Sequence, residues 1–232
     1  MFDLNQFDEE FFNRLRSRII DAGKSGIYIT IMLYDVYSFS NYSAPLDPMW
    51  GGNVFNAANN INGIHADTNG DSWGVEFFTG PPSEIRRLQR SYVRKVIDTI
   101  NDLDNVILEI GNEVGALQWQ YEMINFVKTY EASKPKQHLV LMSPGGLSGL
   151  NVYTHATESD VVGSTADIFA VSVEWADYLN NPPANNTGKP GILDRDHVRP
   201  RTTFAPMLPW KAFARGYHYN LFDLPFEDHS IE

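Results

Sequence analysis

Two stretches of this chain end an apolar run on carboxylates. The first is Val106-Ile107-Leu108-Glu109-Ile110-Gly111-Asn112-Glu113. Its β-prone run leads into Asn-Glu, as a buried strand does when it delivers polar side chains at its end. A carboxyl in such a partly apolar pocket has its pKa raised and stays protonated near neutrality. That state suits a general acid that protonates a leaving glycosidic oxygen. Asn112, next to it, can hydrogen-bond a sugar hydroxyl. The structural alternative is an Asn-Glu pair that caps the following helix.

The second stretch is Lys189-Pro190-Gly191-Ile192-Leu193-Asp194-Arg195-Asp196-His197. In an extended chain Asp194 and Asp196 share one face and Arg195 takes the other. Three readings stay open. One Asp can be a nucleophile that forms a glycosyl-enzyme intermediate. Asp194, Asp196 and His197 can bind a metal, since carboxylates and imidazole are ligands of hard ions and zinc. Or the Asp side chains hold a turn and Arg195 forms an ion pair.

The elements that must position these groups follow from periodicity. Phe7, Phe11, Phe12, Leu15 and Ile19 recur at helical spacing, which predicts a helix over 8–22 capped by Asp8 and closed by Gly23 and Gly26. Residues 27–34 read as a strand buried on both faces. Residues 35–82, rich in Asn, Gly, Pro and Trp, are too long for an idle loop and read as a substrate-covering loop. A helix follows over 83–101, capped by Ser83, with Ile85, Leu88, Tyr92, Val96 and Ile100 as its buried stripe. Strands are predicted at 105–110, 138–142, 167–173, 190–194 and 219–222. Helices are predicted at 116–132 and 206–215, and the tail from Glu227 as loose.

Strand and helix alternate throughout, which implies parallel strands with crossover helices. Six strands fall in the phase of a TIM (β/α)8 barrel, and the chain begins on a helix. The expectation is a single domain over 1–232 that lacks the first two βα units of the barrel. The competing architecture is an open doubly wound sheet, but no Gly-rich phosphate loop follows any strand. In a barrel the C-terminal strand ends form the active face. Glu113, Asn112, Asp194 and the strand-end pair Tyr34-Asp35 would then meet there, with Asp223 on the same rim. An incomplete barrel exposes two strand edges, so self-association is expected.

Composition narrows the partners. The chain has 232 residues, 43% hydrophobic residues, a net charge of -11 and no cysteine. Disulfides and thiolate metal sites are excluded. The negative charge argues against nucleic acid or anionic lipid as partner. No run of about 18 apolar residues occurs, so no membrane span is expected. The N-terminus has neither a basic region nor an apolar run, so no signal peptide is read there, and the compartment stays open between cytoplasmic and exported. Tryptophans 50, 73, 119, 175 and 210 suit core packing, with stacking on a sugar ring as their second use. Asn59, Asn60 and Asn62 suit turns or sugar hydroxyls. His138 reads as structural, and Asn185-Asn186-Thr187 as a weak N-glycan acceptor pattern on a surface loop.

At this point the chain resembles clan-A glycoside hydrolases, within them a bacterial and metagenomic group of cellulase-like (β/α)8 proteins. The resemblance is carried by Trp50, then Asn59-Asn60-Ile61-Asn62-Gly63-Ile64. It continues through Tyr92-Val93-Arg94-Lys95-Val96-Ile97-Asp98-Thr99-Ile100-Asn101-Asp102-Leu103-Asp104-Asn105-Val106 and Glu109-Ile110-Gly111-Asn112-Glu113. Lys134-Pro135-Lys136-Gln137-His138, Asp194-Arg195-Asp196-His197 and Trp210-Lys211-Ala212-Phe213-Ala214-Arg215-Gly216 complete it. It implies Glu113 as acid/base at the end of the fourth barrel strand and a seventh-strand carboxylate opposite it. It departs from the group at three places. The clan usually places a Glu on strand seven, whereas here Arg195 holds that position between Asp194 and Asp196. Val198-Arg199-Pro200 stands where Leu-Trp-Gly is common. Val171-Ser172-Val173-Glu174-Trp175 also differs, which makes Glu174 an outside candidate for the second carboxylate.

The expectation is therefore an O-glycosyl hydrolase acting with retention on an oligo- or polysaccharide or other glycoside, with no cofactor. Glu113, Asp194 and Asp196 are its catalytic candidates. Asn112, Trp50, Tyr34, His197, Trp175, Tyr178 and Asp223 are its substrate contacts. The alternatives are a catalytically inactive carbohydrate-binding barrel and a metal-dependent hydrolase using Asp194, Asp196 and His197.

Overall fold

A computed structural model describes residues 1–39, 49–112, 114–143, 158–172, 184–194 and 207–219. The chain divides into two compact units, Met1–Asp167 and Ile168–Glu232. All strand pairing within each unit is parallel.

In the first unit α1 (Glu9–Lys24) starts on Asp8, whose carboxylate accepts the Glu10 and Phe11 amides at 3.0 and 3.3 Å. It ends at Gly26, which takes the left-handed backbone (φ 72°) that a side chain resists. Strand β1 is Ile29–Met32. A 3₁₀ turn at Tyr37–Phe39 and two short helices, α2 (Met49–Gly52) and α3 (Glu76–Thr79), break up the long segment that follows. Helix α4 (Ser83–Ile100) starts on Pro82, not on a Ser83 cap. Ser83 lies inside the first turn and Pro82 offers no side-chain acceptor. Then come β2 (Val106–Glu109), α5 (Leu117–Glu131), β3 (Leu139–Met142) and α6 (Glu158–Gly163), the last of which the sequence pattern did not signal.

The strands are laid down in chain order, β1-β2-β3, in register Ile31↔Leu108↔Val140. Right-handed crossovers that always step the same way leave the helices on one face. The core shows that face. Ile31, Leu33, Val106, Leu108, Ile110, Val140 and Met142 pack with Phe12, Ile19, Ile85, Val93, Val96, Ile97, Ile100, Ile124 and Val127. Leu108, Ile110, Val140 and Met142 are fully sealed, and each such side chain contributes about 1.5–3 kcal/mol. The alternate residues face away from these helices. Met32 is 46% exposed and Leu139 50%. The expectation that β1 is buried on both faces is thus corrected: its apolar run is covered on one face only.

Polar side chains tie the ends of these elements together. The Arg16 guanidinium forks onto Asp102 at 2.6 and 2.7 Å, joins the Thr99 carbonyl, and holds the Asp102 carboxyl at a pKa of about 2. The Asn105 amide donates to the Ile19 and Ile27 carbonyls, both at 3.0 Å. Where β3 begins, the buried Glu131 carboxylate meets His138: Nδ1 lies 2.6 Å from Oε1, and the His138 amide donates to Oε2 at 2.9 Å.

The second unit contains β4 (Ile168–Ser172), β5 (Gly191–Asp194), α7 (Leu208–Ala214) and β6 (Tyr217–Tyr219), with the strands paired in chain order. Strand β6 begins directly after Gly216 (φ 84°), earlier than the predicted 219–222, because that glycine ends α7 in the left-handed conformation and releases the chain at once. Residues 220–222 lie outside the described residues. Gly191 pairs with both Phe169 and Tyr217, and a Cβ on it would stand 2.7 Å from an atom of each ring. Asn185 organises the loop before β5: its side-chain nitrogen donates to the Lys189 and Gly216 carbonyls, and its oxygen accepts from Thr187. Its amide is thus engaged internally. Among the described residues no helix is long and apolar enough to cross a membrane.

Candidate functional site

The parallel ladder of β1 and β2 continues past both strands. Leu33 donates to the Glu109 carbonyl at 2.9 Å, Asn112 to the Tyr34 carbonyl at 2.9 Å, and Val36 to the Asn112 carbonyl at 3.3 Å. Asp35 and Asn112 therefore stand abreast at the C-terminal strand ends. Gly111 leaves room for the Val114 side chain just beyond, since a Cβ there would stand 2.8 Å from Val114 Cγ2.

The two strand-end residues differ in how far they are committed. The Asp35 carboxylate accepts the Tyr37 amide at 3.2 Å, and its carbonyl accepts the Ser38 hydroxyl. The Asn112 side chain is half-buried and its amide has no partner among the described residues. An amide of this kind, on a fixed backbone, is free to serve a ligand hydroxyl.

Tyr34 is placed otherwise. Its hydroxyl donates to the Gln89 carbonyl at 2.8 Å, and its ring meets Trp119 and Tyr92 edge-on at 5.1 and 5.6 Å. Burial, and secondarily Tyr92, pushes its phenol well above the usual tyrosine range, so it stays neutral. Trp50 is 4% exposed, stacks on Phe39 at 6.2 Å, and fills the space that a Cβ on Gly74 would need. Core packing is the use this placement favours.

In the second unit Asp194 ends β5, beside Ser172 on β4. Its side chain lies outside the described residues, as do Glu113, Glu174, Trp175, Tyr178, Asp196, His197 and Asp223. Among the described residues no cluster of three or more His, Asp or Glu side chains is arranged to hold a metal.

The Asn-rich loop is built by its own side chains. Asn60, 2% exposed, donates to the carbonyls of Val54, Asn56 and Ile64 and accepts from the Asn62 and Ile64 amides. Asn59 donates to Gly51 and Asn53. Further along, Asp67 accepts the Gly70, Asp71 and Ser72 amides, which holds Ser72 at φ 68°. Asn69 donates to Asp71 and to Glu76 Oε1, while Glu76 Oε2 is sealed without a partner. The Glu76 carboxyl is raised by burial, with Asp71 and Asp67 adding to it.

One polar residue at the heart of the first unit was not anticipated. Gln89 is 2% exposed, donates to the Phe77 carbonyl at 2.6 Å, and accepts the Trp119 indole N–H at 3.3 Å. The available signal was its place in the apolar stripe of α4, four residues after Ile85.

Comparison with known protein families, curated proteins and solved structures finds no match to this chain.

Proposed function

We propose that this chain is a retaining O-glycoside hydrolase built on (β/α)8 barrel lines, with Glu113 as acid/base. The observation that carries the reading is the uncommitted Asn112 amide at the C-terminal end of β2, on a backbone locked to Tyr34 and Val36. Glu113 is the next residue. Parallel strands joined by helices and laid down in chain order support the architecture.

In this reading Glu113 donates its proton to the leaving glycosidic oxygen. Asp194 or Asp196 attacks the anomeric carbon, and the C–O bond to the leaving group breaks as the ester bond forms. Glu113, now a carboxylate, takes a proton from water, and the hydroxide so delivered releases the sugar and restores the Asp. Asn112 holds a hydroxyl of the bound sugar. His197, Trp175, Tyr178 and Asp223 are the remaining contacts proposed. Retention requires the two carboxyls about 5–5.5 Å apart, and about 6.5–9.5 Å would give inversion.

The test is hydrolysis of a panel of activated aryl glycosides by the wild type, Glu113→Gln, Asp194→Asn and Asp196→Asn. Turnover of one glycoside, lost in Glu113→Gln and in one Asp variant, supports the reading and names the nucleophile. A folded wild type that is inert on every glycoside overturns it.

A further inference from the structure

The first unit contains a cavity of about 510 Å³ that no step of the proposed reaction uses. It lies between residues 2–7 and the end of β1. Its size falls within the range of about 300–1,000 Å³ usual for small-molecule sites. Among the described residues seven aromatic rings line it, Phe2 together with Phe7, Tyr34, Phe39, Phe55, Phe77 and Tyr92.

We propose that this cavity is a binding site for a small, uncharged aromatic molecule carrying one hydrogen-bonding group. Three observations select that chemistry. First, the wall is aromatic, and pairs of its rings already meet at 4.5–5.6 Å, as Phe39–Phe77, Phe55–Phe77 and Tyr34–Tyr92 do. A further ring extends the same edge and face contacts. Second, Tyr92 lines the cavity and its hydroxyl has no hydrogen-bond partner among the described residues. It can donate to or accept from one polar atom of a ligand. Third, among the described residues of the lining the charged groups are the carboxylates of Asp3 and Asp35, with no Lys, Arg or His. In a chain of net charge -11 such a mouth repels anions.

The walls are held in place before any ligand arrives. Phe2 donates to the Asn59 carbonyl at 2.8 Å and accepts the Ile61 amide at 2.9 Å, and the Leu4 amide donates to Asn62 Oδ1 at 2.7 Å. The Gln89 amide fastens α4 to Phe77 behind the cavity. The site borders the candidate catalytic face through Tyr34 and Asp35, but it needs no turnover and none of the proposed catalytic carboxylates. It therefore stands or falls separately from the glycosidase reading.

The experiment is a fluorescence titration of the whole chain with N-phenyl-1-naphthylamine and with its sulfonated counterpart 8-anilinonaphthalene-1-sulfonate. The neutral probe is expected to bind saturably at one site, and the sulfonate about 10-fold more weakly or worse, because like charge opposes it. Val54→Trp, which places an indole in the cavity, is expected to lower neutral-probe affinity by about 10-fold or more with the far-UV spectrum unchanged. Ser38→Trp serves the same purpose should Val54→Trp not fold. Displacement of the probe by 2-naphthol is expected at lower concentration than by naphthalene, and Tyr92→Phe is expected to remove that preference. Absence of saturable binding, equal binding of the sulfonate, folded Trp variants that bind like the wild type, or a naphthol preference that survives Tyr92→Phe would each overturn the proposal.

Discussion

The His138 imidazole is held between two acceptors, with Nδ1 2.6 Å from Glu131 Oε1 and Nε2 2.9 Å from the Leu103 carbonyl. Only a doubly protonated ring donates to both. Burial opposes that charge, but the hydrogen bonds to Glu131 and Leu103 outweigh it, and the His138 pKa is raised above its usual value. A raised folded-state pKa means that the stabilisation is complete below the unfolded value and fades as pH rises through the folded one. His138→Gln is therefore expected to cost about 3 kcal/mol near pH 6, as removal of one partner of a buried pair does. The cost should shrink toward pH 9. Thermal melts of both proteins across that range would decide it, and a difference that does not change with pH would count against the charged ring.

Glu76 works in the opposite sense to a stabilising carboxylate. Its Oε2 is sealed without a partner, and Asp67 and Asp71 stand near it. Its raised pKa means that the protonated form suits the fold, so stability is lost as pH rises through that value. Glu76→Gln is expected to raise the stability at pH 7 by on the order of 0.5–1 kcal/mol after solvent screening, read as a higher melting point, and to do nothing at pH 4. A lower melting point at pH 7 would show that the carboxylate charge is needed there.

Gly111→Ala is expected to cost about 1–3 kcal/mol, since its methyl would press on Val114 Cγ2. Val114→Ala should relieve most of that cost in the double variant, a coupling readable from urea midpoints. Simple additivity of the two changes would mean that the contact does not set the strand end.

Gln89→Leu would leave the Phe77 carbonyl and the Trp119 indole N–H without partners in the core. The expected loss is about 2–4 kcal/mol from the two orphaned groups. Gln89→Glu at acid pH, where the side chain regains a donor, should recover part of it. Equal destabilisation by Glu at every pH would argue that packing, not hydrogen bonding, sets the cost.

Much of this frame was legible from period and punctuation. The stripe of Ile85, Leu88, Val96 and Ile100 marks α4, and Asp8 and Gly26 bracket α1, because helix faces and caps are local properties. The strand runs ending at Glu109 and Asp194 were legible for the same reason. What failed was whatever depends on a distant partner. The exposure of Met32 is decided by which side α1 and α4 cover, and a run of apolar letters does not say which. The cap of α4 was misread because Ser83 is a good cap type one residue too late. The candidate site was legible as strand ends. The engagement of Tyr34 with Gln89 and the burial of Trp50 against Gly74 were not, since both arise from contacts across the fold.

Gly191 gives the second unit a way to measure. It is a notch between two pegs, the rings of Phe169 and Tyr217, which approach each other edge-on at 6.1 Å. Any other residue of β5 slid into that notch would drive its Cβ into both rings. A slip by one residue would also exchange the two faces for every position downstream. Asp194 is three residues along, about 10 Å at the usual rise of a strand. The glycine at one end of β5 thus acts as a ruler's zero mark for the carboxylate at the other. The register of a residue proposed for chemistry is checked at a place where no chemistry occurs.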